Sequence, residues 1–395
     1  MPEAPGPPTL SATRIFTRFL RFGALAFGGP VAQIAMIRDE LVERDHWITR
    51  ERFNRTLAVY QALPGPEAHE LCVYFGTIAG GRIGGVLAGL GFMLPGFVLV
   101  LVLAALYIRY GASSVWIAAA LSGLQPAVGA LIVRAVIRIA RHALSHPWLW
   151  LVATGTAVAQ LLDAPFWIPL LIAGVSHAFA ARGMYPAAGA SLVAGAIAVA
   201  FTADPSGIEL DPLTVATGAA PGLVALLVTG LKAGLLTFGG AYTAIPFVRN
   251  DAVVHGRWLT DAQFLDSLAL SGILPAPLII FGTFVGYLGA GLAGAVMMTV
   301  GIFAPAFAFT LIGHRQLEHL VHDPRAHAFL DGVAASVVGL IAVTAVRLLP
   351  EAIPDVEAGV IFTGALAALV AWKARWNVLV IMLAAGAAGL VLDRL

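Results

Sequence analysis

Two short glycine motifs are the residues best suited to chemistry in this sequence: FGGP at residues 27–30 and FGGA at residues 238–241. Each interrupts an apolar stretch that would otherwise continue as a helix. Such a break exposes the backbone N–H groups that start the next half-helix, and these groups attract an anion together with the positive end of the helix dipole. Glycine also lets a ligand approach the backbone closely, because it has no Cβ. We therefore predict a backbone anion site at Gly28, Gly29, Gly239 and Gly240.

Two proline motifs, LPGP at residues 63–66 and LPAP at residues 274–277, predict two further breaks. Proline lacks a backbone N–H and its ring clashes with the preceding turn, so it cannot continue a helix interior. We expect the four breaks to meet near the middle of the membrane and to line one binding site. The alternative is that these residues only kink and pack helices, as they commonly do in membrane proteins. The prolines and the glycine assigned to the site are Pro30, Pro64, Gly65, Pro66, Pro275 and Pro277.

Two cations and two neutral donors lie close to the glycine motifs. Arg21 and Lys232 each precede the first glycine of their motif by two helical turns, so each shares that glycine's face. A cation within an apolar segment is costly and usually functional, which predicts that this pair holds or attracts the anion. The alternative is that both side chains extend to the membrane interface. Gln33 and Tyr242 follow the breaks and can donate to an oxyanion, or they can close helix contacts.

Glu67 is the candidate for handling a proton. It directly follows the PGP sequence, and His69 lies two residues on and can share the proton. Carboxylates inside membrane segments often act in proton relays, whereas the alternative is that Glu67 caps the half-helix. We expect neither a metal nor a cofactor. The histidines near one charged loop have a spacing that indicates solvated side chains, and they are His314, His319, His322 and His327.

The composition restricts the class of protein that positions these residues. The chain has 395 residues, of which 59% are hydrophobic and 11% charged, whereas a soluble domain carries about 25% charged residues. Several apolar runs reach the roughly 18 residues that mark a membrane helix, so we predict an all-α polytopic membrane protein with the lipid bilayer as a partner. The net charge of +1 gives no reason to expect a nucleic-acid partner, and the single cysteine, Cys72, excludes a disulfide framework.

The chain contains two copies of one unit. Residues 21–66 align with residues 232–277 without a gap, and about a third of the aligned positions are identical, including Trp, Thr, Pro and Phe. Shared membrane composition explains matches of Leu and Ala, but it does not explain these rarer residues. We divide the chain into a disordered lead, a first repeat, an outer linker and a second repeat. Their bounds are 1–13, 14–203, 204–220 and 221–395.

The basic residues of the loops orient the two units, because Lys and Arg favour the cytoplasmic side. Residues 38–55 carry five arginines, so the segments 14–37 and 56–81 are predicted to enter and leave on that side as re-entrant hairpins. The second unit then starts from the opposite side, which makes the pair an inverted repeat, a common plan of secondary transporters. The alternative is that residues 14–37 and 56–81 each cross the membrane completely.

The motifs extend into longer paired stretches. These are FGGPVAQIAMIRDELVERDHW with LPGPEA in the first half, and FGGAYTAIPF with LPAPLIIFGTFVGY in the second. They resemble the chromate ion transporter family in its long-chain form, in which two homologous halves are fused. The resemblance covers almost the whole chain. It implies export of chromate from the bacterial cytoplasm across the inner membrane, conferring chromate resistance, and it implies proton-coupled antiport, so that chromate and protons are the expected ligands.

Two other functions remain open from the sequence. A transporter of sulfate or another tetrahedral oxyanion fits the same motifs, because nothing in them distinguishes two dianions of similar shape. A membrane-bound chromate reductase is the third alternative, but reduction needs an electron carrier, and the chain has no cysteine pair, haem motif or dinucleotide fingerprint. We therefore expect a carrier rather than an enzyme, and the sequence leaves a homodimer open.

Overall fold

The regular structure of the chain is helical throughout the described residues. Five helices are long and apolar enough to cross a membrane. The computed structural model describes residues 8–111, 114–202, 220–238, 240–312, 323–372, 374 and 376–392. The helices are α1 (Ala12–Ala24), α2 (Gly29–Ile37), α3 (Arg50–Ala62), α4 (Glu67–Tyr110), α5 (Val115–Ala143), α6 (Pro147–Leu161), α7 (Trp167–Ala180), α8 (Tyr185–Thr202), α9 (Leu223–Leu235), α10 (Ile245–Arg249), α11 (Asp261–Gly272), α12 (Phe281–Leu311), α13 (Pro324–Ala352), α14 (Val356–Ala371) and α15 (Asn377–Leu392).

The first hairpin is formed by α1 and α2, which are separated by the first glycine motif. Gly28 has φ 89°, a left-handed conformation that favours glycine, and it ends the break. The chain then turns back, which is shown by the distance of 3.2 Å between Arg21 Nη1 and Glu40 Oε1. A straight helix would place residues 19 positions apart roughly 28 Å from each other along its axis. The segment is therefore re-entrant, as predicted.

The second hairpin is formed by α3 and the start of α4, which are separated by the first proline motif. Thr49 caps α3 by accepting the Arg52 N–H at 3.2 Å. Beyond the break, α4 runs back along α3, so that Arg52 Nε donates to the Tyr74 hydroxyl at 3.0 Å. The second re-entrant hairpin is likewise confirmed.

Helix α4 consists of two arms that fold against each other. The backbone leaves the helical conformation at Gly80 and Gly81, and Gly81 has φ 64°. The arms pack so closely that a Cβ on Gly76 would lie 2.4 Å from the Gly84 carbonyl oxygen. The short arm completes the re-entrant hairpin, and the long arm crosses the membrane. Helix α12 repeats this turn at Ala290 and Gly291.

The residues 38–49, which connect the first two hairpins, lie on the face where the long arm of α4 begins, and we call this the first face. Helix α1 also starts there, because the Leu10 N–H donates to the Ala79 carbonyl at 3.1 Å. The long arm of α4 carries the chain to the opposite, second face, and α5 returns it. Helix α5 therefore ends, and α6 begins, on the first face.

The equivalent connector of the second unit, residues 249–260, lies on the second face. Helix α6 runs away from the first face, and Arg347 Nη2 donates to the Gln160 carbonyl at its end, at 3.0 Å. Both residues line a small pocket together with Arg249. The two units are therefore inverted relative to each other, as the arginine count predicts.

An arginine anchors the connector of each unit through a different acid. In the second unit Arg249 Nε and Nη2 bind the two carboxylate oxygens of Asp261 at 2.7 and 2.8 Å. The aligned positions of the first unit are both arginines, Arg38 and Arg50, and Glu43 bridges them. Hydrogen bonds from Arg50 and then from Arg38 lower the pKa of Glu43. Each unit thus links its two hairpins by an arginine–carboxylate pair, although the carboxylate is supplied from a different position in each unit.

Two of the predicted segments are only partly described. Residues 1–7 of the predicted lead and residues 204–219 of the predicted linker lie outside the described residues. Of the lead, residues 8–13 are described, and Leu10 is tied to the turn of α4 as above.

Candidate functional site

The structure brings the four breaks together at the middle of the molecule. The Gly65 N–H in the second break donates to the Thr237 carbonyl in the third at 2.9 Å. The first, third and fourth breaks also meet, because residues of all three line one small pocket of ≈ 30 Å³. Its break residues include Phe27, Gly28, Gly29, Tyr242, Leu274 and Ala276.

The helical segments that start at the breaks have no side-chain cap. At none of these four starts does a side chain form a capping hydrogen bond in the described structure. The N-cap residues are Gly28, Pro66, Gly240 and Pro277. By contrast, Thr260 and Gln263 form a complete capping box at the start of α11, outside the breaks. The first N–H groups of a helix have no partner within it. At three of the breaks the third N–H already donates to the N-cap carbonyl, so the first two N–H groups are the ones available to water or a ligand. Gly239 lies outside the described residues.

A cavity of ≈ 450 Å³ leads from the first face to the breaks. Its mouth is formed by the end of α5 and the start of α13, including His142, His327 and Asp331. Pro30 of the first break and Gly240 of the third break line its wall. The cavity therefore connects the first face of the molecule to the glycine motifs.

Glu67 and His69 lie on different sides of α4. Glu67 lines the cavity, is 8% exposed, and has no hydrogen-bond or ion-pair partner among the described residues. His69 is fully buried, and its ring lies 4.8 Å from the rings of both Phe303 and Phe307 on α12. The structure thus brings Glu67, but not His69, to the cavity wall.

A second carboxyl group, Glu70, lies behind the second break. It is fully buried, and within the described part of the chain neither of its oxygens has a hydrogen-bond partner. A Cβ on Gly65, which has φ 150°, would lie 2.8 Å from Glu70 Oε1. The glycine of the proline motif therefore makes room for this carboxyl group.

The two neutral donors are placed differently. Gln33 is 1% exposed, and its Nε2 donates to the Ala26 carbonyl at 2.8 Å, which ties together the two sides of the first break. Tyr242 lines the small pocket between the breaks. Tyr242 is thus in reach of a ligand at the breaks, whereas the Gln33 amide is occupied in shaping one of them.

Both predicted cations are paired with carboxylates, and neither lines the cavity. Lys232 Nζ lies 3.1 Å from Asp251 Oδ2, with both side chains buried, and Thr229 Oγ1 donates to the same oxygen at 2.8 Å. Arg21 makes the equivalent pair with Glu40 in the first unit. Each pair joins the two arms of a hairpin. Sequence reasoning missed the acids, although an acid follows each cation by the same 19 residues.

Sequence reasoning also missed Arg138, which lines the cavity from α5. The signal that was available is its position within a helix of 29 residues rather than in the loop that follows. His314, His319 and His322 lie outside the described residues.

Comparisons with known proteins find chromate transport proteins that are similar over most of the chain. A family model described as "Chromate transporter" matches residues 13–178 and 224–390, so it recognises both units. The chain is 54% identical to a "Chromate transport protein" of Pseudomonas aeruginosa over 390 residues, which is 97% of this chain and 93% of the relative. It is 32% identical to a "Chromate transport protein" of Cupriavidus metallidurans, covering 93% and 90% of the two chains. No solved structure matches the chain.

Proposed function

The chain belongs to the chromate transporter family, and on that premise we propose that this multi-pass membrane protein exports chromate from the bacterial cytoplasm in exchange for protons. The observation that carries the proposal is the cavity that ends at helix starts without side-chain caps. The helix starts supply hydrogen-bond donors that can replace those of water around an anion. The cavity makes these donors accessible from one side of the membrane.

The cavity suits a tetrahedral oxyanion in size and in donors. Its volume of ≈ 450 Å³ holds such an ion together with several water molecules, since each water takes about 30 Å³ in the liquid. Hydrogen bonds to an ionised acceptor are roughly twice as strong as those between neutral groups. Backbone N–H groups at the breaks can therefore replace part of the hydration shell of the ion.

Among the described residues, the large cavity opens at the first face. The pocket beside Arg249 and Arg347 on the second face has a volume of ≈ 10 Å³, too small to admit an oxyanion. In an inverted repeat the two units can exchange conformations around a central site, which closes one face and opens the other. The arginine-rich connector marks the first face as cytoplasmic, so we assign the protein to the inner membrane with its cavity facing inward.

Glu67 is our candidate for coupling transport to protons. It is a carboxyl group that starts a half-helix at a break, faces the cavity and has no partner among the described residues. A group in that place can exchange protons with water in the cavity and also feel the charge of a bound anion. The cycle proposed here loads chromate on one face and a proton on the other.

Sulfate is the second candidate for the transported anion. Backbone N–H groups read the charge and the arrangement of oxygen atoms, and these are shared by the two tetrahedral dianions. The donors found at the breaks therefore favour an oxyanion without selecting its central atom.

The test is anion flux into proteoliposomes that contain the purified protein. With an acidic lumen, exchange predicts that chromate accumulates faster than without a pH gradient, and protein-free liposomes provide the control for leakage. Stimulation only by an acidic exterior would show that the anion and the proton move together and would overturn exchange. Absence of chromate flux in every gradient would overturn chromate transport, and a parallel measurement with sulfate determines the preferred anion.

A further inference from the structure

One face of α5 runs from the mouth of the cavity to the breaks. Leu131, Arg134, Arg138 and His142 follow one another at intervals of three or four residues, so they share this face. His142 and Arg138 line the cavity, and Leu131 lines the small pocket between the breaks. Arg134 therefore lies between the cavity and the pocket, about 6 Å further along the helix axis than Arg138.

The guanidinium groups of Arg134 and Arg138 lack a carboxylate partner among the described residues. Other cations of the chain do have one, since Arg249 binds Asp261 and Lys232 binds Asp251. A cation at membrane depth is costly, and where it occurs it usually marks the path of an ion or pairs with another group. The two arginines of α5 thus bring positive charge that no carboxylate at ion-pair distance neutralises to the face that leads inward, and Glu67 lies within electrostatic reach of Arg138.

The surroundings of these arginines are those of an anion site. Arg138 shares the cavity wall with Glu67, and Tyr242 lies within electrostatic reach of both arginines. The uncapped starts of α2 and of the segment after Gly240 line the same cavity as Arg138 through Pro30 and Gly240. Guanidinium presents a planar fork of donors that matches two oxygens of an oxyanion, which a lysine ammonium cannot do.

We propose that Arg138 binds the transported oxyanion directly and that Arg134 receives it next, one turn closer to the breaks. This inference rests on the proposed function and names the charged residues of its site. It also explains why Arg21 and Lys232 need not serve as ligands, because Glu40 and Asp251 already neutralise them.

The experiment measures chromate binding to detergent-purified protein by equilibrium dialysis. Arg138→Gln removes the charge and should weaken binding about 10- to 100-fold, as expected for loss of a charge-assisted hydrogen bond. Arg138→Lys keeps the charge but loses the fork, so its affinity should lie between those of Arg138→Gln and the unmodified protein. Arg141→Gln is the matched control, because Arg141 is an exposed arginine of the same helix and should bind chromate normally.

Three results would contradict the inference or its premise. Binding of chromate by Arg138→Gln with unchanged affinity would overturn the inference and leave the proposed function intact. Failure of the unmodified protein to bind either chromate or sulfate would overturn the proposed function instead. If Arg138→Gln does not fold, size-exclusion chromatography reveals it, and Arg138→Lys then decides: unchanged affinity in that variant contradicts binding by the guanidinium fork.

Discussion

The buried pair of Lys232 and Asp251 determines what a substitution at Lys232 should do. Lys232→Gln leaves the carboxylate of Asp251 buried beside a neutral side chain, and breaking a buried pair in this way costs about 3–5 kcal/mol. We expect a loss of that size in the free energy of unfolding, measured by chemical denaturation in detergent. The double variant Lys232→Gln/Asp251→Asn should recover much of the stability, because it removes both charges.

Arg21→Gln provides the matched control for this prediction. Arg21 occupies the equivalent position of the first unit, but its side chain is 62% exposed. Exposed ion pairs contribute about 0–1 kcal/mol, so little stability should be lost. A Lys232→Gln variant that keeps its stability but loses chromate affinity would contradict the structural role and place the cation in the anion site.

Glu67 and Asp331 both line the cavity, but only Glu67 lies at a break. Glu67→Gln mimics the protonated carboxyl group, so anion binding should survive while the pH dependence of chromate flux is lost. A group that binds or releases a proton in each cycle makes the flux depend on pH, and an amide cannot do so. Flux is measured in proteoliposomes over a range of pH.

Asp331→Asn is the control, because this residue lies at the cavity mouth beside His327, and its pH profile should resemble that of the unmodified protein. An unchanged profile in Glu67→Gln would mean that Glu67 serves only at the helix start. The fully buried Glu70, three residues further along the same helix, would then be the carboxyl group to test.

The role of the first glycine break in anion binding can be tested separately from the cost of placing a residue other than glycine at a positive φ. Gly29 and Gly81 both have positive φ, at 76° and 64°, and a Cβ on either would meet no atom within 4 Å. An alanine at either position should therefore cost a similar amount, roughly 1–2 kcal/mol for a left-handed residue. Only Gly29 lines the pocket between the breaks, so Gly29→Ala should also weaken chromate binding by obstructing the backbone.

Dialysis and chemical denaturation on the same two preparations separate these effects. Equal chromate affinities for Gly29→Ala and Gly81→Ala would contradict the backbone-donor site and favour a role of the glycines in packing alone. Both glycines lie at turns between helical segments of the first unit.

The inverted arrangement of the two units predicts labelling from opposite sides of the membrane. His46 and Arg257 occupy aligned positions, are exposed, and share a left-handed conformation with φ 53° and 51°. A cysteine at Arg257 should react with a membrane-impermeant maleimide in intact cells, whereas a cysteine at His46 should react only after permeabilisation. The native Cys72 is fully buried and should stay unlabelled. Labelling of both positions from the same side would contradict the inverted repeat in the cell.

Much of the architecture follows from local and periodic features, and these are readable in the sequence. Glycine and proline act on the backbone where they stand, so the breaks at the FGGP and LPGP motifs occur at the predicted residues. Hydropathy reports the solvent around each segment, and the five described helices that are long and apolar enough to cross a membrane agree with the apolar runs of the sequence. The internal repeat and the arginine count together orient the two units.

The identity of the partners depended on the tertiary structure, because helix periodicity assigns a residue to a face but does not say what packs against that face. Lys232 and Arg138 illustrate this. Both are cations in apolar helices, yet one meets Asp251 across a hairpin and the other faces an open cavity. His69 likewise lies close to Glu67 in sequence but packs against Phe303 of the other unit. Such contacts join residues far apart in the chain, and only the packing of the two inverted units decides which charges are neutralised and which remain to meet a ligand.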